Sequence, residues 1–345
     1  MNTIDLRSDT VTTPDAEMRR AMAEAPVGDD VFGEDPTIMK LERMAAEMLG
    51  MEAGLFVASG TMSNLVAILS HCARGDEAIV GSEAHILHYE VASAAGLGGV
   101  QLRVVPNDAG GRLDPEDVAA QIRGQDVHFP QTALVCLENT QNRCGGAILT
   151  AEETKAVADV AHARGVKVHI DGARIFNAAV ALGVPVSALT AEADSVGFCL
   201  SKGLGAPVGS VLCGRGEFIA RARKNRKAVG GGMRQGGIIA AAGVYALERM
   251  VDRLAEDHDN ARFLAQELSK LPGVVLDPAT VQTNIVIWEM EGISAPDFAR
   301  NLREQALLVT TLGPTRLRMV THYGIERTDI EDALDRIQQT IAVAA

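Results

Sequence analysis

An apolar strand candidate runs directly into a lysine in Ser195-Val-Gly-Phe-Cys-Leu-Ser201-Lys202-Gly203-Leu-Gly205-Ala-Pro207. The glycines behind Lys202 leave open space around its side chain, and Pro207 excludes a simple helical continuation. A lysine that ends a strand and points into water is one interpretation. The other is a reactive amine, because a lysine in a pocket can form a Schiff base with a carbonyl group of a cofactor or substrate.

A second strand candidate ends in an acidic turn, in Val166-Lys-Val-His-Ile-Asp171-Gly-Ala-Arg174. Ligand-binding groups of α/β proteins lie at the carboxyl ends of strands, although an aspartate here also suits an ordinary turn. The spacing from Asp171 to Lys202 fits one βαβ unit. The two side chains are therefore expected at the same edge of one sheet.

Short apolar strand candidates alternate with amphipathic helical patterns over most of the chain. This alternation predicts an α/β fold with a mostly parallel central sheet. Strands that are apolar on both faces, such as Leu134–Leu137, indicate helices on both sides of that sheet. The strand candidates are Ala53–Ser59, Ala78–Gly81, Gln101–Val105, Thr132–Glu138, Val166–Asp171, Ser195–Ser201 and Gly209–Cys213.

The pattern changes near residue 250, where a long charged helix candidate begins. We predict an N-terminal arm over residues 1–25, a large domain over 26–250 and a smaller α+β domain over 251–345. The elements predicted for the smaller domain are helices Met250–Leu271, Pro296–Gln305 and Thr328–Val343, and strand-like segments Gly273–Leu276, Asn284–Trp288 and Thr315–Thr321.

Composition and charge restrict the classes of function. The 345 residues carry a formal net charge of −13, which disfavours nucleic acid or an anionic membrane as the main partner. The longest uncharged apolar stretch, Gly236–Leu247, is too short to span a bilayer, and the N-terminus lacks the apolar run of a signal peptide. Five cysteines without CxxC spacing are typical of reduced thiols, so we expect a cytoplasmic protein.

Two further segments suggest binding of a ligand or a subunit. The turn Ser59-Gly60-Thr61 precedes a helix candidate, so its hydroxyls and free N–H groups suit either an anion or an ordinary helix cap. The loop Gly230-Gly-Gly-Met-Arg234-Gln-Gly-Gly237 would let backbone approach a ligand or another subunit closely, or would simply be flexible. No dinucleotide fingerprint, P-loop or zinc-ligand spacing is present in the sequence, so no metal site is expected.

Taken together, the chain resembles the L-threonine aldolase family, in particular the low-specificity and L-allo-threonine aldolases. These are pyridoxal 5'-phosphate (PLP) enzymes of the aspartate aminotransferase fold type, also called fold type I. The segments that carry the resemblance are Asp5-Leu-Arg-Ser8-Asp-Thr-Val, Val27-Gly-Asp-Asp-Val-Phe-Gly-Glu-Asp-Pro36, Ser59-Gly-Thr, Ala84-His85-Ile, Leu137-Glu-Asn-Thr140, His169-Ile-Asp-Gly-Ala-Arg174, Cys199-Leu-Ser-Lys-Gly-Leu-Gly-Ala-Pro-Val-Gly-Ser210, Gly230-Gly-Gly-Met-Arg-Gln235 and Arg318-Met-Val-Thr-His322.

The resemblance implies a cofactor site. Lys202 would hold PLP covalently, Asp171 would pair with the pyridine nitrogen and His85 would stack on the ring. Arg234 would reach the phosphate from a neighbouring subunit. The other residues that the resemblance assigns to the cofactor are Ser59, Gly60, Thr61, Arg174 and Ser201.

The resemblance also implies a substrate site. Ser8, Arg174 and Arg318 would hold the substrate carboxylate, and Tyr89 would lie beside the substrate. His128 matches a second active-site histidine. Phe32 is a departure, since many family members have tyrosine there, so any hydroxyl contact from that position is absent.

The activity that the resemblance implies is cleavage of L-threonine or L-allo-threonine to glycine and acetaldehyde in a homotetramer built as a dimer of dimers, with active sites at the dimer interface. Alternatives are an L-phenylserine aldolase, and a PLP-dependent β-eliminating lyase or aminotransferase on the same fold. The base for the β-hydroxyl proton is left open between His85, His128 and a water on the phosphate, because imidazole titrates near neutrality.

Overall fold

The computed structural model describes residues 2–344, and its centre is a seven-stranded sheet. The strands of the chain are β1 Ile4–Asp5, β2 Ala53–Val57, β3 Glu77–Gly81, β4 Gln101–Val105, β5 Thr132–Glu138, β6 Lys167–Asp171, β7 Ser195–Cys199, β8 Ser210–Gly214, β9 Val274–Val275, β10 Ile285–Met290, β11 Leu307–Leu308, β12 Thr310–Leu312 and β13 Arg316–Val320. The central sheet has the order β2-β8-β7-β6-β5-β3-β4. Only β8 runs antiparallel to its neighbours there. The predicted mostly parallel α/β sheet is confirmed.

Helices cover both faces of this sheet. The helices of the chain are α1 Ala16–Ala23, α2 Pro36–Leu49, α3 Gly60–His71, α4 His85–His88, α5 Ser93–Gly96, α6 Pro115–Gln121, α7 Ala151–His162, α8 Ile175–Leu182, α9 Val186–Thr190, α10 Gly216–Ala228, α11 Gly237–Arg249, α12 Leu254–Leu268, α13 Ala295–Glu304 and α14 Arg327–Ala344. Of these, α13 and α14 pack in the C-terminal part of the chain and not on this sheet. Side chains alternate along a strand, so Phe56 packs into the core that includes α2 while Leu55 packs into the core of α3 and α10. Within residues 2–344, none of these helices is long and apolar enough to cross a bilayer.

The C-terminal part of the chain builds a second apolar core around an antiparallel sheet of order β12-β13-β10-β9. Trp288 and Phe298 meet there edge to face, with ring centroids 5.6 Å apart. The N-terminal segment joins this core: β1 pairs in parallel with β11, and Ile4 is buried in the core. This core is separate from the apolar clusters that flank the central sheet. The division into an arm, a large domain and a small domain stays a prediction.

Candidate active site

The carboxyl ends of neighbouring parallel strands bring acidic side chains and the lysine to one cavity. Glu138 ends β5 directly beside Asp171, which ends β6, and Lys202 follows β7. The cavity has a volume of about 370 Å³. Its lining combines residues of the N-terminal arm, the central sheet and the small sheet: Ser8, Thr10, His85, Tyr89, Glu138, Thr140, Asn142, Asp171, Ala173, Arg174, Lys202, Thr310, Thr311, Leu312 and Arg318.

Asp171 is held rigidly at the floor of this cavity, with only 4% of its surface exposed. Its Oδ2 accepts a hydrogen bond from Asn64 Nδ2 at 2.8 Å, and its Oδ1 accepts one from the Ala173 backbone N–H at 3.2 Å. Asn64 Oδ1 in turn lies 3.1 Å from His169 Nε2. Burial lowers the pKa of His169 to about 4, so His169 is neutral near pH 7.

His85 lies at the start of α4, and two carboxylates fix it. Its backbone N–H donates to Glu138 Oε2 at 2.7 Å, and its ring Nδ1 lies 2.9 Å from Glu90 Oε1. Burial works to lower the pKa of His85, but the hydrogen bond to Glu90 and the charge of Asp171 outweigh it and raise that pKa above its ordinary value. Burial, with the charge of Asp171, raises the pKa of Glu138 to about 7.

The two arginines of the cavity differ in what they already bind. Arg174 forms a buried bidentate ion pair with Asp9, with Nε–Oδ2 and Nη2–Oδ1 distances of 2.6 and 2.7 Å. Arg318 donates only to neutral acceptors, the side chain of Asn142 at 2.9 Å and the backbone carbonyl of Arg7 at 3.2 Å. Among the described residues, no carboxylate lies within ion-pair distance of Arg318. Of the two arginines, Arg318 is therefore the one that remains available to an anionic ligand.

The turn after β2 leads into α3, which begins close to the loop that carries Lys202. Ser59 is the N-cap, and its Oγ accepts the Met62 N–H at 3.1 Å. A Cβ added to Gly60 would lie 2.8 Å from Cys199 Sγ, so only glycine lets α3 begin this close to the end of β7. Ser201 lies two residues after the end of β7. The helix N-terminus therefore faces the same strand end as Lys202, and its free N–H groups suit an anion.

Six predicted site residues are not among those that line the cavity. Ser59, Gly60, Thr61 and Ser201 lie at the start of α3 and after β7, whereas His128 and Arg234 are exposed. The His128 side chain is 81% exposed, and its Nδ1 lies 2.6 Å from Asp126 Oδ1. The Arg234 side chain is 56% exposed and pairs with Asp29 at 3.0 Å. Their roles stay predictions that depend on a neighbouring subunit or on movement of a loop.

Tyr89 lies at the cavity, as predicted, and its hydroxyl accepts a hydrogen bond from Arg143 Nη1 at 2.7 Å. Phe32, the departure from the family pattern, is 73% exposed and does not line the cavity.

The sequence reasoning missed several polar residues that organise the site. Glu138 had a usable signal, because it ends a buried strand in the same way as Asp171. Asp9 lies within a segment that carried the resemblance but had no assigned role, and Asn142 lies two residues after another such segment, Leu137–Thr140. Asn64 and Glu90 lie inside helical or turn segments, where no local pattern distinguishes them.

One cluster has the composition of a metal site. Among residues 2–344, His85, Glu90 and Asp171 are the one group whose ligand-type atoms all lie within 4.8 Å of one another. The Asn64 amide donates to both carboxylates, at 2.7 and 2.8 Å. Hydrogen bonds therefore account for the cluster without an ion.

Comparisons with known proteins identify the family of this chain. The family model described as beta-eliminating lyase matches residues 5–291. The chain is 45% identical to low-specificity L-threonine aldolase 1 of Arabidopsis thaliana, covering 99% of this chain and 97% of that protein. It is 45% identical to the low specificity L-threonine aldolase of Escherichia coli K12, covering 95% and 96% of the two chains. The fold is shared with Leishmania major threonine aldolase, at a TM-score of 0.83, 18% identity and 99% coverage of both chains. The chain belongs to the beta-eliminating lyase family and, within it, to the low-specificity L-threonine aldolases.

Proposed function

We propose that this protein uses PLP to cleave L-threonine and L-allo-threonine into glycine and acetaldehyde. The observation that carries the proposal is the placement of Lys202, Asp171 and the unpaired Arg318 around one cavity. Relatives of nearly full-length similarity are named low-specificity L-threonine aldolases, which supports the same reaction here.

The residues present fit PLP at each of its functional groups. The amine of Lys202 would take the aldehyde carbon, and the carboxylate of Asp171 would take the protonated pyridine nitrogen. The phosphate would lie at the N-terminus of α3 with Ser59, Gly60, Thr61 and Ser201, where Gly60 leaves room that a side chain would fill. When bound, PLP supplies a carbonyl that condenses with amines and a ring that accepts the electron pair released on Cα.

Residues of the chain orient the substrate, and this orientation determines which of its bonds breaks. Arg318 binds the carboxylate of the amino acid, with the hydroxyl of Ser8 beside it, and a guanidinium fork fixes the orientation of a carboxylate. Arg174 lines the same cavity and is itself held by Asp9. A fixed carboxylate directs the Cα–Cβ bond toward the reactive orientation, and this positioning contributes to the rate.

A product assay tests the proposal directly. Purified protein with PLP is incubated with L-threonine, L-allo-threonine and L-phenylserine, and glycine and the aldehyde are quantified. We expect acetaldehyde from the first two substrates. Faster release of benzaldehyde would instead favour the phenylserine aldolase. Pyruvate or another keto acid without aldehyde would favour an eliminating lyase or an aminotransferase and would refute the proposal.

We also infer a cytoplasmic homotetramer, a dimer of dimers in which Arg234 completes the phosphate site of a neighbouring subunit. The exposed position of Arg234 on its own chain is compatible with such a contact. Mixing Lys202→Ala subunits with Arg234→Ala subunits tests this arrangement. Each hybrid dimer would contain one site with an intact Lys202 and an intact Arg234, so we expect activity to reappear after the inactive or weakened parents exchange subunits.

The control for this experiment is a mixture in which each subunit carries both substitutions. It contains no complete site and should stay inactive. Failure of the single-variant mixture to gain activity, despite proven subunit exchange, would contradict the contribution of Arg234 across an interface.

A further inference from the structure

We propose that Glu90 is a positioning residue that keeps the proton of His85 on Nδ1, so that Nε2 of His85 accepts the β-hydroxyl proton of the substrate. The inference rests on the proposed aldolase reaction and selects His85 over His128 as the base. His85 lines the cavity and Glu90 is 1% exposed behind it. Their closest atoms, His85 Nδ1 and Glu90 Oε1, are 2.9 Å apart.

The orientation of the Asn64 amide decides where the proton of this bond lies. One end of the Asn64 side chain is 2.7 Å from Glu90 Oε1 and 2.8 Å from Asp171 Oδ2. Two carboxyl oxygens at hydrogen-bond distance require a donor, so this end is the NH2 group. Glu90 Oε1 therefore accepts a hydrogen bond from Asn64 Nδ2. An ionised carboxylate oxygen carries no proton to donate, so His85 Nδ1 is the donor of the other hydrogen bond to Oε1.

The hydrogen bonds on the far side of Asn64 are consistent with this orientation. With NH2 toward the carboxylates, Asn64 Oδ1 accepts from His169 Nε2–H. His169 is neutral, so its Nδ1 accepts from the Ser195 hydroxyl at 2.9 Å. The Ser195 oxygen then accepts from His71 Nε2, 2.8 Å away. Each bond of this chain then has a donor and an acceptor, so the far side agrees with the orientation that the two carboxylates require.

With the proton on Nδ1, the other ring nitrogen of His85, Nε2, is unprotonated and can act as an acceptor. No residue in the described part of the chain forms a hydrogen bond with His85 Nε2, which is left to the cavity. In the cleavage step the proton leaves the β-hydroxyl for Nε2, and the O–H bonding pair becomes the second bond of the aldehyde carbonyl as Cα–Cβ breaks. The electron pair of the Cα–Cβ bond stays with the amino-acid fragment, which later takes up a proton and becomes glycine. His128 has a similar carboxylate partner in Asp126 but is exposed outside the cavity.

The charged groups around His85 set the direction of a pH effect. Glu90, Asp171 and Glu138 face it as acids, and Lys202 faces it as a cation. Burial lowers the pKa of His85, and the bond to Glu90 is the largest opposing contribution. A base must be unprotonated to act, so the rate falls on the acidic side as Nε2 becomes protonated. Removal of the Glu90 charge lowers the pKa of His85 and should move this acidic limb to lower pH.

The first test reads the proton position without any use of activity. Solid-state ¹⁵N NMR of histidine-labelled holoenzyme distinguishes a protonated Nδ1 from a protonated Nε2, and His85→Asn identifies the signal. We expect neutral His85 to carry its proton on Nδ1 in the wild type. In Glu90→Leu, which removes the acceptor, we expect the Nε2–H tautomer to become populated. A wild-type His85 with its proton on Nε2 would overturn the inference even if the protein is a fully active aldolase.

The second test uses two matched carboxylate–histidine pairs. Glu90→Leu should lower kcat on the order of 10²-fold, whereas Glu90→Gln keeps an acceptor oxygen and should recover much of the rate with its acidic limb at lower pH. Asp126→Asn, the same change beside His128, should leave rate and pH profile unchanged. An Asp126→Asn variant as slow as Glu90→Leu, or a Glu90→Gln variant with the wild-type pH profile, would overturn the inference. Absence of aldehyde from wild-type protein would instead refute the proposed function, and the NMR result would still decide the tautomer.

Discussion

Lys202→Ala is expected to abolish aldehyde formation, with a loss of at least about 10³-fold, and to remove the visible absorbance band of the bound cofactor. The side chain lines the cavity that also contains Asp171, and its backbone carbonyl accepts from the Thr12 hydroxyl at 3.1 Å. The loop that carries Lys202 is therefore held by a hydrogen bond from the N-terminal arm and by its connection to β7. Alanine removes the amine and leaves these backbone contacts in place, so the variant should fold normally.

Lys155→Ala provides the control, because Lys155 is an exposed lysine paired with Asp159 on α7. It should keep both the band and the rate. Borohydride treatment of the wild type followed by peptide mass spectrometry should find PLP attached at Lys202. A band that survives in Lys202→Ala after removal of free PLP, or attachment at a different lysine, would refute the assignment.

Strand ends were the part of the site that the sequence predicted best. The seven strands of the central sheet lie within two residues of their predicted bounds, because each is a short apolar run bounded by turn residues. The carboxyl ends of parallel strands meet at one edge, so Asp171 and Lys202 were placed together by topology alone. Glu138 follows the same rule at the end of β5.

The remaining parts of the site depend on tertiary contacts that have no local pattern. Asn64 is one polar residue in an otherwise ordinary helix, and its importance comes from two carboxylates contributed by distant segments. The arginines show the same limit. The resemblance assigned both to the substrate carboxylate, whereas in the structure Arg174 is paired with the carboxylate of Asp9 and, among the described residues, Arg318 has no carboxylate partner. The predicted helix Met250–Leu271 is shorter, Leu254–Leu268, because local turns flank it at both ends.

Arg318→Gln is expected to lower kcat/KM for L-threonine by about 10²- to 10³-fold while the protein keeps its stability and its cofactor band. Breaking a buried charge pair costs about 3–5 kcal/mol, and each 1.36 kcal/mol is tenfold in an equilibrium or a rate. The ion pair between Arg318 and the substrate carboxylate forms only when the substrate binds, because Arg318 contacts neutral acceptors before then. Glutamine keeps much of the volume and a hydrogen-bond donor, so the loss should come from the charge. Steady-state kinetics and the affinity for glycine measure the effect.

Arg174→Gln is the informative comparison, because replacing Arg174 would leave the carboxylate of Asp9 without its ion-pair partner. Burial opposes ionisation of Asp9, but the charge and hydrogen bonds of Arg174 hold the pKa of Asp9 well below its ordinary value. Arg174→Gln would leave that carboxylate buried and uncompensated, so it should destabilise the fold by about 3–5 kcal/mol and lower the midpoint of thermal unfolding. Arg318→Gln leaves no such carboxylate and should unfold at nearly the wild-type temperature. If Arg318→Gln instead keeps the wild-type kcat/KM, or if the stability loss appears in Arg318→Gln and not in Arg174→Gln, then the carboxylate of the substrate is bound elsewhere and Arg318 has a structural role.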